Sequence, residues 1–211
     1  MTLVDVLYIG KGVVITLKYT LGALIIGLSL GATMAILRRH KFICWGVDSV
    51  VSILRGTPLL LQLGFFYFAV PGFFGLRLDI WQAGLIAFGL NSAAYVTEIF
   101  RSGIQSIPKG QFEAAYSLQI PTFWLWKDII MPQVLRNIFP ALVNEVISLL
   151  KETAIISTIG ELDLTRRAQI VAATEFNYFM PVCLAGAYYY MLVFTIERLA
   201  SKIESIWRVK Y

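Results

Sequence analysis

Four long apolar segments without any Asp, Glu, Lys or Arg constrain this chain more than any other feature of its sequence. Each extends over roughly 18 residues or more, which is enough for an α-helix to cross about 30 Å of hydrocarbon. The four segments are Tyr19–Leu37, Gly56–Leu76, Ile80–Thr97 and Phe176–Ile196. Only 15% of the residues are charged, against about a quarter in a typical soluble domain. The sequence therefore predicts an all-α integral membrane protein.

The basic residues predict how the helices are oriented. Of the 18 Lys and Arg, 12 fall on one side of the membrane if the helices simply alternate. These are Arg38, Arg39, Lys41, Arg55, Arg101, Lys109, Lys127, Arg136, Arg198, Lys202, Arg208 and Lys210. The positive-inside rule makes this side cytoplasmic, with the N-terminus outside and the C-terminus inside. Because the charge flanks membrane segments, the net charge of +5 does not indicate a nucleic-acid partner.

This orientation requires an odd number of spans, so a fifth must be added, and the candidate is the less hydrophobic Gln133–Ile159. We predict one membrane domain, 1–211, with spans at 12–37, 56–75, 80–100, 133–159 and 179–200 and a cytoplasmic loop at 101–132. Phe42–Leu54 is expected to be an interfacial connector inside the cell, and Gly160–Asn177 a helical outer segment. The first apolar run ends in Arg-Arg-His-Lys rather than at small residues, so we expect no cleavable signal peptide.

Two predicted spans carry polar side chains along one face. In the fifth-span candidate, Asn144, Ser148 and Lys151 fall within about 60° of one another, and Glu145 and Glu152 lie on an adjacent stripe. The third span places Asn91, Tyr95, Glu98 and Ser102 on one face. A charge at mid-bilayer costs roughly 2.5–3.5 kcal/mol, so these faces are expected to meet protein or water. The alternative is that the charged groups lie near helix ends and extend to the interface.

The predicted cytoplasmic loop contains two short helices. Pro108 suits the first turn of a helix whose face carries Phe112, Ala115, Tyr116 and Gln119. Thr122 is expected to cap a second helix, Phe123–Met131, and Pro132 to open the following span. A helix of about ten residues is marginal alone in water, so the first helix must dock on something. Its support is either a partner protein or its own membrane domain.

The loop is similar to a family signature. In permease subunits of bacterial ABC importers, Glu-Ala-Ala is followed by three residues, Gly, nine residues, Ile, one residue and Leu-Pro. Here Glu113-Ala114-Ala115 is followed by Gln119 at the Gly position, then by Ile129 and Met131-Pro132. Further matching segments are Lys11–Gly31, Arg55–Leu63, Asn91–Leu118 and Pro132–Ile159. Over most of its length the chain resembles the polar amino acid permeases of the histidine, glutamine, glutamate, arginine and opine type.

The resemblance implies five transmembrane helices in the type I ABC importer permease fold, in the bacterial inner membrane. It also implies a second, identical or homologous permease, a cytoplasmic ATPase dimer that binds ATP and Mg²⁺, and an external amino-acid-binding protein. A coupling helix would sit in a cleft of the ATPase, and the residues implied for this contact are Gly110, Glu113, Ala114, Ala115, Tyr116 and Leu118.

Gln119 departs from the family pattern, because Gly at this position would allow a left-handed turn. For a residue with a side chain, that conformation costs roughly 1–2 kcal/mol of free energy. Either the turn is built differently here or the coupling helix continues through Gln119.

For the substrate path we predict Gln62, Asn91, Glu98, Asn144, Ser148, Lys151 and Glu152. Lys151 would meet the carboxylate of an amino acid, and Glu98 or Glu152 its ammonium group. An extra carboxylate favours arginine, lysine or histidine, and glutamine fits almost as well, so arginine and glutamine are the leading candidates. The alternative for Lys151 is a structural ion pair with Glu145 or Glu152.

We expect neither enzyme activity nor a cofactor in this chain. It has no Walker A pattern, so ATP hydrolysis by that device belongs to another subunit. Its one histidine, His40, lies in a basic run, and Cys44 and Cys183 lack metal or disulfide spacing. Two alternatives remain. An autonomous secondary transporter or channel is disfavoured because the sequence lacks an inverted repeat. A membrane anchor would not need the polar helix faces.

Overall fold

The structure is a computed structural model that describes residues 1–38 and 40–208. The described chain is helical and contains no β-strand. Its α-helices are α1 Leu3–Gly10, α2 Gly12–Leu37, α3 Lys41–Gly56, α4 Leu59–Gly64, α5 Val70–Phe74, α6 Ile80–Gln105, α7 Lys109–Ser117, α8 Thr122–Trp124, α9 Met131–Glu152, α10 Leu164–Thr174 and α11 Phe179–Arg208. Arg39 and Lys210, both used to predict the topology, lie outside the described residues, as do the side chains of Lys41 and Arg208.

Within the described residues, three helical stretches are long and apolar enough to cross a membrane. They are Leu3–Leu37, which joins α1 to α2, Ile80–Gln105 and Phe179–Ile206. A bent pair, Phe42–Gly56 and Leu59–Phe74, forms a fourth candidate if its two arms are counted as one span. The long helix α9 does not qualify, because the polar stripe predicted from the sequence lowers its hydropathy. The count of five spans is therefore a prediction that length and composition alone do not confirm.

The bent pair is where the sequence predicted an interfacial connector followed by a span. The two arms meet at 104°. Thr57 and Pro58 between them have extended backbone, as the restriction that a proline places on the preceding residue requires. On α3, Val47 and Val51 are buried, whereas Phe42 and Trp45 are exposed. One face of α3 therefore packs on the helical bundle, and its other face is apolar and uncovered in the single chain.

Helices α2 and α6 form the closest helix pair of the fold. A Cβ atom on Gly27 would lie 2.6 Å from the Ser92 Oγ, and one on Gly31 would lie 2.7 Å from the Val96 Cβ. Small residues four apart let two helix backbones approach closely, a common packing mode within membranes. At this contact the Thr97 hydroxyl donates to the Gly31 carbonyl over 3.2 Å.

The main core joins the polar helix α9 to this pair. Its fully buried members come from α2, α4, α6, α9 and the 3₁₀ turn Thr153–Ile159 that follows α9. They are Tyr19, Ala23, Leu63, Ala87, Phe88, Leu149 and Ile156. One side of α9 is thus fixed in the apolar core, and its polar stripe is held in a defined direction.

Candidate functional site

The first candidate surface is the exposed face of α7, in the segment that carries the family signature. Gly110, Glu113 and Ala114 are exposed, and Tyr116 and Leu118 have 61% and 74% of their surface accessible. Tyr116 lies in the nine-residue helix and Leu118 directly follows it, so their side chains point to different sides of the helix, and both are accessible to a partner that binds the helix in a groove. Five of the six predicted coupling residues are therefore accessible.

Ala115, the sixth predicted coupling residue, does not lie on this surface. Only 2% of it is exposed, and it is enclosed by Ile107, Leu125, Ile130, Val134 and Ile138 of its own chain. This burial does not support the predicted direct contact between Ala115 and the ATPase, which stays a prediction. The small side chain instead lets α7 lie against the segment that leads into α9. One face of α7 therefore packs against its own membrane domain, and the opposite face is exposed and accessible to a partner protein.

The turn after α7 resolves the two alternatives for Gln119. Gln119 has φ of 52°, in the left-handed region, so the helix does not continue through it. The Ile120 N–H donates to the Ala115 carbonyl and the Gln119 N–H to the Tyr116 carbonyl, each over 3.0 Å. This pair of hydrogen bonds is the Schellman motif, which normally uses glycine at the left-handed position. The turn is of the kind that glycine would favour, with glutamine in its place.

The next helical stretch begins at Thr122 itself, so the predicted capping role of Thr122 is wrong. Pro121 precedes the stretch, and no side chain caps it. The chain then runs without a break through α8, a π-helical turn at Leu125–Ile130 and α9. The ring centroids of Phe112 on α7 and Trp126 in the π turn are 6.0 Å apart. Helix α7 is therefore in direct contact with the segment that continues into α9.

The second candidate site is a polar cleft between α6 and α9. Its volume is about 310 Å³, and its lining residues are Tyr95, Ile99, Ala141, Asn144, Glu145, Ser148 and Glu152. Three residues of the predicted substrate path, Asn144, Ser148 and Glu152, meet there. The cleft adds Glu145, whose carboxylate accepts a 2.7 Å hydrogen bond from the Ser92 hydroxyl of α6. Two carboxylates and no basic side chain line this cleft.

Glu98 does not lie in the cleft but in an ionic cluster. Its carboxylate lies 2.5 Å from an Arg38 nitrogen, 2.6 Å from one of Arg101 and 3.8 Å from one of Arg55. Asp48 completes the cluster by pairing with Arg38 over 2.5 Å. With its oxygens engaged by arginines, Glu98 joins α2, α3 and α6, and this position does not support its predicted substrate role.

Three other residues of the predicted path also lie elsewhere. Gln62 is 8% exposed, and its amide donates to the Leu54 carbonyl over 2.7 Å, which fixes the bend between α3 and α4. Asn91 is buried beside Ser92 on α6. Lys151 is exposed and does not line the cleft. It forms no ion pair within the described part of the chain, so the alternative of a structural pair with Glu145 or Glu152 is not seen.

Comparison with known proteins shows which family this chain is similar to. Residues 27–205 match the family described as binding-protein-dependent transport system inner membrane component. The putative glutamine transport system permease protein GlnP of Rickettsia typhi is 50% identical over 94% of this chain and 92% of its own length. The arginine transport system permease protein ArtQ of Bacillus subtilis is 42% identical over 96% of this chain and 94% of its own.

Two solved structures share the fold. One, titled as an amino acid ABC transporter with histidines, superposes with a TM-score of 0.89 at 39% identity over 94% of this chain and 93% of that one. The other, of the MetNI methionine ABC transporter, has a TM-score of 0.80 at 18% identity, covers 98% and 99% of the two chains, and supports the fold alone. The predicted type I ABC importer permease fold is confirmed. With its exposed signature helix and its polar intramembrane face, the chain belongs to the inner membrane components of binding-protein-dependent transport systems and is a permease subunit, not an enzyme.

Proposed function

We propose that this chain forms the translocation path for a polar or basic amino acid in an ATP-driven importer. The observation that carries the proposal is the cleft between α6 and α9, where Glu145 and Glu152 supply negative charge beside the neutral Asn144 and Ser148. Every amino acid carries an ammonium group, for which a carboxylate in a water-poor cleft is the natural partner. The amide and hydroxyl supply donors for the substrate carboxylate.

The two carboxylates favour arginine over glutamine. One of them pairs with the α-ammonium group and leaves the second for a cationic side chain, which arginine has and glutamine lacks. The relatives include both a putative glutamine permease and an arginine permease. Lys151 stays outside the cleft, so the carboxylate of the substrate would be held by neutral donors rather than by the ammonium group first predicted.

Coupling to ATP is proposed to run through α7. The exposed surface around Glu113, Tyr116 and Leu118 would bind a groove of a cytoplasmic ATPase, and the buried face around Ala115 would transmit its motion to α9. A second, identical or homologous permease and an external binding protein would complete the importer. In this arrangement five helical stretches cross the bacterial inner membrane, with the N-terminus outside.

Uptake into liposomes that contain the full complex tests the proposal. We expect ATP-dependent uptake of labelled arginine and glutamine, and we expect Glu152→Gln to lower arginine uptake about tenfold, since a hydrogen bond to a charged group contributes about 1.5–3 kcal/mol. Glutamine uptake should fall less. Glu197→Gln on α11, an exposed position outside this cleft, is the matched control and should leave both rates unchanged.

Two outcomes would contradict the proposal. Uptake that continues without ATP or without the binding protein would indicate an autonomous transporter. An equal loss for arginine and glutamine in the Glu152 variant, or no loss for either, would show that Glu152 does not recognise a cationic side chain.

A further inference from the structure

A second cavity lies where α2 and α6 end, away from the cleft between α6 and α9. Its volume is about 350 Å³. The lining residues are Ala35, Arg38, Arg101, Ile104, Gln105, Phe112 and Trp126. They come from the ends of α2 and α6, from α7 and from the π turn before α9. The proposed transport function assigns no role to this cavity.

The polar edge of the cavity is formed by two arginines, Arg38 and Arg101, and by Gln105. Arg38 and Arg101 belong to the ionic cluster in which the guanidinium groups of three arginines surround the carboxylates of Glu98 and Asp48. The cluster as a whole has one arginine more than it has carboxylates, and Arg55, which is 3.8 Å from Glu98, lies outside the cavity lining. Arg101 is 41% exposed, so its guanidinium group also reaches the surface. The Gln105 side-chain oxygen accepts a 2.9 Å hydrogen bond from Arg101, which holds the guanidinium group at the cavity.

The remaining walls are apolar, and their position along the helices matches a membrane boundary. Helix α2 ends at Leu37, just before Arg38, and α6 ends at Gln105, so both apolar helices stop where the cavity begins. Ala35 and Ile104 belong to these last turns, and the aromatic rings of Phe112 and Trp126 form the opposite wall. Trp side chains are enriched at the level of lipid headgroups.

We propose that this cavity binds the headgroup of an anionic phospholipid. Its phosphate would meet Arg38 and Arg101, and the first methylene groups of its chains would lie along Ile104 and Phe112. Basic pockets between transmembrane helices on the cytoplasmic side have the chemistry to hold such headgroups. A bound lipid would bridge α2, α6 and α7, and so connect the bilayer to the proposed coupling helix.

The test measures how much labelled phosphatidylglycerol the purified complex retains in nanodiscs made mainly of phosphatidylcholine. Gln105→Glu keeps the shape of the side chain and its hydrogen bond to Arg101 but adds a negative charge at the cavity. We expect it to lower retention about fivefold, the effect of one charge near an anionic surface. Gln111→Glu makes the same change on exposed α7, outside the lining, and should leave retention unchanged.

A second variant tests the cavity without changing charge. Ala35→Phe fills the space beside Arg38 and should also lower retention. Glycerol phosphate, added to complexes in nanodiscs of phosphatidylcholine alone, tests whether a soluble phosphate is sufficient, and we expect no binding. Equal retention by the wild type, Gln105→Glu and Ala35→Phe would overturn the proposal. So would tight binding of free glycerol phosphate, since the site would then recognise a soluble anion.

Discussion

Gln119 has a left-handed backbone conformation, which costs free energy for a residue that has a side chain. Its φ of 52° is one that glycine adopts without cost, and the two hydrogen bonds of the Schellman motif hold it there. Gln119→Gly should therefore raise the free energy of unfolding by roughly 1 kcal/mol, because the strain of the left-handed region is removed. Thermal unfolding of the purified chain in detergent measures the change.

The control is the same substitution at Gln111, which lies within α7 at ordinary helical angles. Gln111→Gly should lower stability by up to about 1 kcal/mol, because glycine is a poor helix former. Opposite signs at the two positions are the expected result. Destabilisation by Gln119→Gly, comparable with that at Gln111, would mean that the left-handed turn is not present in the folded protein.

The polar residues of α6 and α9 show which part of the candidate site could be predicted from positions along a single helix. Helical spacing put Asn144, Ser148 and Lys151 on one stripe and Glu145 and Glu152 on the next; the cleft is lined by Asn144, Ser148 and both glutamates but not by Lys151, because its lining spans two stripes of α9. The same reasoning did not predict the ion pairs of Glu98. Its i,i+3 neighbour Arg101 was a local signal of pairing, but the contact with Arg38 depends on how α2 lies beside α6.

Among the elements, α7 has one buried and one exposed face, and the neighbouring residues Ala114 and Ala115 lie on different faces. Ala114 is exposed and Ala115 is 2% exposed. Ala115→Asp would bury an unpaired carboxylate in the cluster with Leu125 and Val134, at a cost of several kcal/mol. We expect α7 to detach, so that the loop becomes sensitive to protease and uptake is lost while membrane insertion is normal.

Ala114→Asp places the same charge on the exposed face. It should leave protease resistance unchanged and weaken binding of the ATPase, measured as the amount of ATPase that copurifies with the permease. If both variants lose the ATPase and neither changes protease sensitivity, Ala115 faces the partner after all. If Ala114→Asp retains full binding and transport, this face of α7 is not the contact surface.

The helices themselves differ in how far the sequence predicted them. The span expected at 12–37 has the same bounds as α2, and the one expected at 80–100 lies within α6, because long apolar runs leave few alternatives to a helix. The π turn at Leu125–Ile130 could not be read from composition. It leads into α9 without a break, and Pro132, which lacks an N–H group, lies in the first turn of α9 as expected.

At the scale of the whole molecule, the ion pairs of the described residues form two groups at opposite ends of the fold. The amino group of Met1 lies 3.0 Å from Glu175, at the end of α10, so the N-terminus and the α10 segment share one end. The cluster of Arg38, Arg55 and Arg101 lies at the other end of α2, a helix of 26 residues. At 1.5 Å per residue, roughly 39 Å separate the two ends, which is enough to place them on opposite sides of a bilayer.

The positive-inside rule then predicts that the arginine cluster and α7 face the cytoplasm. In a background with Cys44 and Cys183 replaced by serine, Leu76→Cys and Arg166→Cys should react with an impermeant thiol reagent added to intact cells. Both positions are exposed, and they lie next to Gly75 and Arg167 on the predicted outer side. Lys109→Cys, equally exposed at the start of α7, should react only after the cells are permeabilised. Labelling of Lys109→Cys in intact cells would invert the orientation and, with it, the side from which an ATPase can reach α7.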